Sequence, residues 1–147
     1  VDIPVGKVRV LRIVNVHDSG KLINPALAEA QVHGGMSMGI GFGLSEKLLF
    51  DPKTGRALNN NLLDYKLSTF MDHPRLRAYF VENPEPTSAF GTKSLGEPPT
   101  CPVAPAIRNA VYQATGVAVN DAPVNPHILF KRFKEEGLFK EVTLCMI

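Results

Sequence analysis

The chain has 147 residues, of which 44% are hydrophobic and 20% are charged, and its net charge is +2. This composition is typical of a globular domain and excludes a disordered, collagen-like or membrane-spanning chain. The small basic excess also argues against a nucleic-acid-binding protein, which usually carries a basic stripe. Two cysteines are too few for a disulfide framework, so we expect a reducing, cytoplasmic compartment.

The chain begins with Val1 and not with Met, and residues 8–16 already have the β-branched composition of a buried strand. No charged segment followed by an apolar run precedes this strand, so we expect no signal peptide. Because a mature domain seldom begins so abruptly, we expect the chain to be a piece of a longer protein.

A helix is predicted over residues 25–44, because Asn24 can cap free N–H groups and Pro25 is tolerated at the first helical position. Each glycine inside a helix costs roughly 1 kcal/mol relative to alanine. Five of them within ten residues therefore require close approach of the backbone to other protein segments or to a ligand. They are Gly34, Gly35, Gly39, Gly41 and Gly43.

The rest of the chain alternates short strands and helices. A hairpin is predicted over residues 47–58, a strand over 76–82 and a loop over 88–99. A second helix is predicted from about residue 101, capped by Thr100, and a third from Asn125 to near residue 137. This order of elements predicts an α+β fold. Residues 138–147 are apolar and stay unassigned.

The first candidate for chemistry is Glu97, in the sequence KSLGEPP at residues 93–99. Gly96 allows the backbone to come close to another group, and two prolines stiffen the loop. A carboxylate held in this way could act as a general base. Alternatively, Glu97 only interacts with the dipole of the helix that follows.

The second candidate is the glycine-rich half of the first helix. Leu27, Gln31, Gly34 or Gly35, and Met38 share one face at helical spacing. A flat ligand could lie against this face, with the Gln31 amide as a hydrogen-bonding group. Tight packing against another helix or a sheet is the alternative.

The remaining polar residues give weaker signals. The four histidines show no metal-ligand spacing among themselves. The dipeptide His17-Asp18 is a very weak indication of a metal phosphohydrolase. We expect Glu29 and His33, four residues apart, to form a surface pair on the helix.

Taken together, the two candidates resemble a known family. The order of Asn24-Pro25, the glycine-rich sequence QVHGGMSMGIG and the sequence KSLGEPP resembles the C-terminal part of the molybdenum-binding subunit of xanthine dehydrogenases. These enzymes are molybdenum hydroxylases, a family that also includes aldehyde oxidases. The resemblance extends from about residue 8 to residue 133.

The resemblance implies a site and a chemistry. Members of the family bind molybdenum through the pterin dithiolene of molybdopterin, with no direct metal ligand expected from this chain. They hydroxylate an electron-poor carbon, here a purine such as xanthine or hypoxanthine, with oxygen derived from water. Carried over by position, Glu97 is the general base, in a buried site beside the substrate. Gln31 is expected to bind the pterin, while Gly34, Gly35 and Gly96 shape the backbone around the cofactor.

The resemblance also implies partners. Residues 1–137 would be the C-terminal portion of a molybdopterin-binding domain, followed by a tail at 138–147. The rest of the molybdenum subunit, and the domains or subunits that carry 2Fe–2S clusters and FAD, would lie outside this chain. We expect the chain to be inactive alone and to bind neither nucleic acid nor a membrane.

Two alternatives remain open. The same chemistry could act on an aldehyde or on another N-heterocycle such as nicotinate. The chain could also be a non-catalytic binding or assembly module that has kept the fold.

Overall fold

A computed structural model describes residues 1–139 of the chain. The elements are strand β1 (Arg12–His17), helix α1 (Pro25–Leu44), strand β2 (Arg75–Phe80), helix α2 (Val103–Thr115) and helix α3 (Pro126–Glu135). The two strands pair in parallel, from Arg12 opposite Arg75 to His17 opposite Phe80. The mixture of three helices and a small sheet confirms the predicted α+β class.

Helix α1 is the centre of the fold, and its bounds match the prediction. The Asn24 side chain accepts a hydrogen bond from the backbone N–H of Leu27, which caps the helix as the sequence suggested. Three side chains of α1 pack with Val103 and Ile107 of α2 and with the inner face of the sheet. They are Val32, Met36 and Ile40.

A second buried cluster joins α2 and α3. Val111 of α2 packs with Leu129 and Phe133 of α3 and with three valines of the connecting segment. Asn125 caps α3 by accepting from the Ile128 N–H at 2.9 Å, as predicted. Leu138 and Phe139 pack against this cluster, while the remaining residues of the predicted tail, 140–147, lie outside the described part of the chain.

Three glycines of α1 allow the backbone of the helix to come close to residues 99–107. A Cβ at Gly35 would lie 2.7 Å from the Pro99 Cβ, and one at Gly39 would lie 2.5 Å from the Val103 Cβ. Gly43 faces Ile107 in the same way, one turn further along α1. The packing interpretation of the glycine run is therefore confirmed at these three positions, four residues apart on one face.

Strand β1 departs from its prediction in two respects. It begins at Arg12 and not at residue 8, and it is only half buried, since Val14 and Val16 are exposed. No segment of residues 1–139 packs on the outer face of the sheet. Side chains of β1 are therefore alternately exposed and at least partly buried, and the strand is not mostly buried.

Two other predictions need correction. Residues 47–58 form the expected turn but only one antiparallel bridge, Phe50 with Ala57, because their apolar side chains are exposed and pack on nothing described. Helix α2 begins at Val103 without a side-chain cap, since Thr100 belongs to a preceding turn closed by its N–H to the Glu97 carbonyl. Within residues 1–139, none of the helices combines the length and apolarity needed to cross a bilayer.

The glycine face of α1 leads to a prediction about stability. Gly39→Ala places a methyl group against the Val103 side chain and the Thr100 carbonyl. We expect the free energy of unfolding, measured by urea titration without cofactor, to fall by about 1–3 kcal/mol through overpacking.

The matched control is Gly34→Ala on the same helix. A Cβ at Gly34 meets no heavy atom of residues 1–139 within 4 Å, so this variant should match the parent or gain up to about 1 kcal/mol. Equal stability of the two variants would show that the contact at Gly39 does not limit the approach of the two helices.

Candidate functional site

The loop that carries Glu97, residues 93–99, starts from a backbone pairing with the end of β1. The Lys93 N–H donates to the Ser19 carbonyl at 2.7 Å, and the Lys21 N–H donates to the Gly91 carbonyl at 2.9 Å. Between them Gly20 has a φ of +66°, and a Cβ there would collide with the Gly91 carbonyl oxygen. A glycine is therefore required for this close approach.

An ion pair reinforces the same end of the loop. The Lys93 Nζ lies 2.7 Å from Asp18 Oδ2, while Asp18 Oδ1 accepts from the Gly20 N–H at 2.9 Å. The Lys93 ammonium beside Asp18, together with the Gly20 N–H, lowers the pKa of that carboxyl below its ordinary value of 3.8. The Asp18 carboxyl is therefore ionised at neutral pH.

The other end of the loop is held by a buried amide. Asn15, which is 7% exposed, donates from Nδ2 to the Pro99 carbonyl at 3.1 Å. The ring of Pro99 is itself fully buried, against Gly35. Two residues after Asn15 on β1, the His17 Nε2 lies 3.2 Å from the Ser94 carbonyl oxygen. Alternate residues of β1 thus face the loop, as the period of a strand requires.

The middle of the loop contacts α1 through Gln31. Its Nε2 donates to the Gly96 carbonyl at 3.4 Å, a long hydrogen bond that places residue 96 over the helix. This contact uses the amide nitrogen and leaves the Oε1 oxygen as a hydrogen-bond acceptor.

Gln31 lies on an open face of α1. A Cβ at Gly34 or Gly96 would meet no heavy atom within 4 Å in residues 1–139, apart from its chain neighbours and, at Gly34, the backbone of α1. Leu27 and Met38, on the same helix face, are 68% and 56% exposed. The result is a flat strip with an amide at its centre and apolar side chains at its ends, next to the loop that carries Glu97.

Glu97 itself is exposed between Gly96 and Pro98. The expectation of a buried carboxylate is therefore not met within residues 1–139. The alternative, an interaction of Glu97 with the dipole of α2, is also not supported. Helix α2 begins only at Val103, and a helix dipole acts within the first turn. The Cys101 Sγ lies 3.7 Å from the Glu97 carbonyl and is exposed.

The structure brings two of the predicted site residues into contact, since Gln31 donates to the Gly96 carbonyl. Gly34 and Glu97 are exposed, whereas Gly35 is buried against Pro99. The predicted surface pair of Glu29 and His33 is confirmed at 3.8 Å.

Sequence reasoning missed the residues that hold the loop. Asn15 and His17 reach it from β1 and Asp18 from the next residue, while Lys93 was noted only as part of the motif. A polar residue at an inward position of an apolar strand, as at Asn15, was the available signal, because a buried amide requires a partner.

Residues 1–74 match a family described as a molybdopterin cofactor-binding domain. The chain belongs to this family. A putative xanthine dehydrogenase molybdenum-binding subunit of Escherichia coli K12 is 58% identical over 138 residues, which cover 94% of this chain and 18% of that subunit. The molybdenum-binding subunit of an aldehyde oxidoreductase of the same strain is 38% identical, over 81% of this chain and 16% of its own length.

Solved structures of two related proteins contain the same fold. Reconstituted CO dehydrogenase from Oligotropha carboxidovorans superposes with a TM-score of 0.85 at 28% identity, over 94% of this chain and 17% of that chain. Aldehyde oxidoreductase from Desulfovibrio gigas gives 0.82 at 29% identity, over 91% and 14%. The chain thus spans less than a fifth of the length of these relatives.

The open surface fits the chemistry of a molybdopterin. A pterin needs hydrogen-bonding partners and a flat surface, and the Gln31 Oε1 and the strip at Gly34 and Gly96 provide both. Among residues 1–139, no group of three or more His, Cys, Asp or Glu side chains is placed to bind a metal ion.

The Asp18–Lys93 pair leads to a prediction about pH. Because the folded-state pKa of Asp18 lies below 3.8, its contribution to stability is present above that pH and is lost as the pH falls through the folded-state value. The difference in unfolding free energy between the parent and Lys93→Met should therefore be constant from neutral pH down to about pH 5 and vanish in stronger acid. Urea titrations at several pH values measure it, and a difference that grows on acidification would contradict the assignment.

Proposed function

We propose that this chain forms one wall of the molybdopterin site of a molybdenum-dependent hydroxylase, with Glu97 as the general base. The hydrogen bond from Gln31 to Gly96 carries the proposal, because it brings the Glu97 loop to the open glycine strip of α1. Membership of the molybdopterin cofactor-binding family supports the same assignment.

Each residue has a defined task in this proposal. Gln31 offers its Oε1 to the pterin, and Gly34 and Gly96 allow the cofactor to approach the backbone. Gly35 acts through the loop by allowing Pro99 to pack on α1. When bound, the cofactor supplies the metal centre that accepts the electrons of the substrate.

The Glu97 carboxylate takes up the proton released when a water-derived oxygen attacks the substrate. A carboxylate suits this task because one oxygen can accept a hydrogen bond from the nucleophile before the proton moves. Pro98 and Pro99 restrict the loop, so the base stays in place with little reorganisation during the reaction. Other domains or subunits supply the 2Fe–2S and FAD centres in this proposal.

Replacing Glu97 by Gln keeps the shape of the side chain and removes the base. In the cofactor-loaded enzyme, we expect kcat to fall by on the order of 10²-fold or more, since that is the usual contribution of a general base. Molybdenum content, measured by elemental mass spectrometry, should be unchanged because the carboxylate is not assigned to cofactor binding.

Glu136→Gln is the matched control, as Glu136 is also exposed but directly follows α3. It should retain both activity and molybdenum. Turnover near the parent level in Glu97→Gln would rule out this residue as the base.

We infer a purine as the substrate class. The relative at 58% identity is named for xanthine dehydrogenase, whereas the relative named for aldehyde oxidoreductase is 38% identical. The intact enzyme should therefore have its highest kcat/KM on xanthine or hypoxanthine, with an aldehyde and nicotinate as comparison substrates. A preference for the aldehyde would overturn the purine assignment and leave the role of Glu97 intact.

A further inference from the structure

We propose that Asn15 and the Asp18–Lys93 ion pair are positioning residues, which fix the loop at residues 93–99 and thereby the Glu97 carboxylate. The inference rests on the proposed function of Glu97. It assigns a role to side chains that make no contact with the open strip of α1.

The loop has little packing of its own. Ser94, Gly96, Glu97 and Pro98 are exposed, and Leu95 is the residue of this stretch that packs against the buried cluster of α1. Short exposed segments with few buried contacts open easily. The position of Glu97 therefore depends on polar contacts, which hold both ends of the loop and also its middle, where Gln31 contacts Gly96.

Asn15 holds the end that follows Glu97. Its amide is buried, and an unpaired buried amide costs more than the hydrogen bond itself contributes. The bond from Nδ2 to the Pro99 carbonyl satisfies it and fixes the backbone two residues after Glu97. Pro99 is at the same time buried against Gly35, so this end is held on both sides.

Lys93 holds the end that precedes Glu97. Its backbone N–H bonds to the Ser19 carbonyl and its ammonium bonds to Asp18, both at 2.7 Å. The side chains of Lys93 and Asp18 are 26% and 36% exposed, so water screens this pair less than a fully exposed one. Both ends of the loop are thus attached to residues 15–19, in the second half of β1 and just beyond it.

This arrangement has a direct consequence for catalysis. A base misplaced by about 1 Å can lose on the order of 10²-fold in rate, without any change in its chemistry. Freeing either end of the loop should therefore lower kcat more than it changes the binding of substrate or cofactor.

The test uses the cofactor-loaded enzyme with Lys93→Met, Asp18→Asn, the double variant, and Lys93→Arg. We expect kcat to fall about tenfold or more in each single Met or Asn variant, with KM changed less than about threefold. The double variant should lose no more than either single one, because the two side chains act through each other. Lys93→Arg should recover most of kcat, since it retains the charge.

Two readouts do not depend on activity. Molybdenum content should stay at the parent level in all four variants. Hydrogen–deuterium exchange of peptides covering residues 91–100 should become faster, while peptides from α2 stay unchanged. Asn15→Leu, if it folds, should give the same pattern from the other end of the loop.

Lys131→Met is the matched control. Lys131 forms an exposed ion pair with Glu135 on α3 at 4.0 Å, with 72% of its side chain exposed, and it is remote from the loop. This variant should leave kcat and the exchange of residues 91–100 unchanged.

The outcomes separate the two proposals. If Glu97→Gln is inactive while Lys93→Met and Asp18→Asn keep full kcat, the positioning role is wrong and the role of Glu97 stands. If the two variants lose thermal stability and exchange faster throughout the chain, their role is general stability, which also overturns the inference. If Glu97→Gln is fully active, the proposed role of Glu97 is wrong, and the positioning role that rests on it is wrong as well.

Discussion

The structure depends on one close approach, between the glycine face of α1 and residues 99–107. Side chains at Gly35 and Gly39 would occupy the space that Pro99 and Val103 fill, so these positions set the distance between the two segments. The approach positions α2 for its apolar side chains to close the buried cluster of α1. It also places the loop before α2 beside the exposed half of the same helix.

Helix α1 therefore has two different faces. One is filled by protein, with Val32, Met36 and Ile40 fully or almost fully buried. The other carries the open strip around Gln31 and Gly34, with apolar side chains at its ends. A helix that is apolar on all sides is usually covered on all sides, and a bound flat ligand would provide part of that cover.

Strand β1 connects the fold to the candidate site. The first inward side chain, Ile13, packs in the core, and the next two, Asn15 and His17, contact the loop. Beyond the strand, Asp18 and the backbone of Ser19 and Gly20 continue the same set of contacts. The exposed Glu97 thus lies in a loop that is held by β1 and the residues that follow it.

Local signals were enough to predict that the three helices and the loop exist, although the cap expected for α2 at Thr100 does not form. Asn24 and Asn125 predicted the starts of α1 and α3, because a cap acts within a few residues of the chain. The strip and the loop were recognised through motifs, yet the contacts that join them could not be predicted. Those contacts link residues 65 to 84 positions apart, such as Gln31 with Gly96 and Asn15 with Pro99, and no local pattern encodes them.

The start and the burial of β1 were also predicted wrongly because they depend on residues far away in the sequence. Residues 8–11 have the composition of a strand, but pairing begins only where β2 lies alongside, at Arg12 opposite Arg75. The burial of Val14 and Val16 was overestimated because composition alone does not report whether a second layer covers the sheet.

The central claim is that the strip of α1 and the Glu97 loop enclose one cofactor site. The most direct test is to locate molybdenum by anomalous scattering in a crystal of the cofactor-loaded protein. The account predicts the metal beside the loop at residues 93–99, on the side to which Glu97 and the Gln31 Oε1 are open. Molybdenum bound elsewhere, with the strip covered by another protein segment, would contradict it.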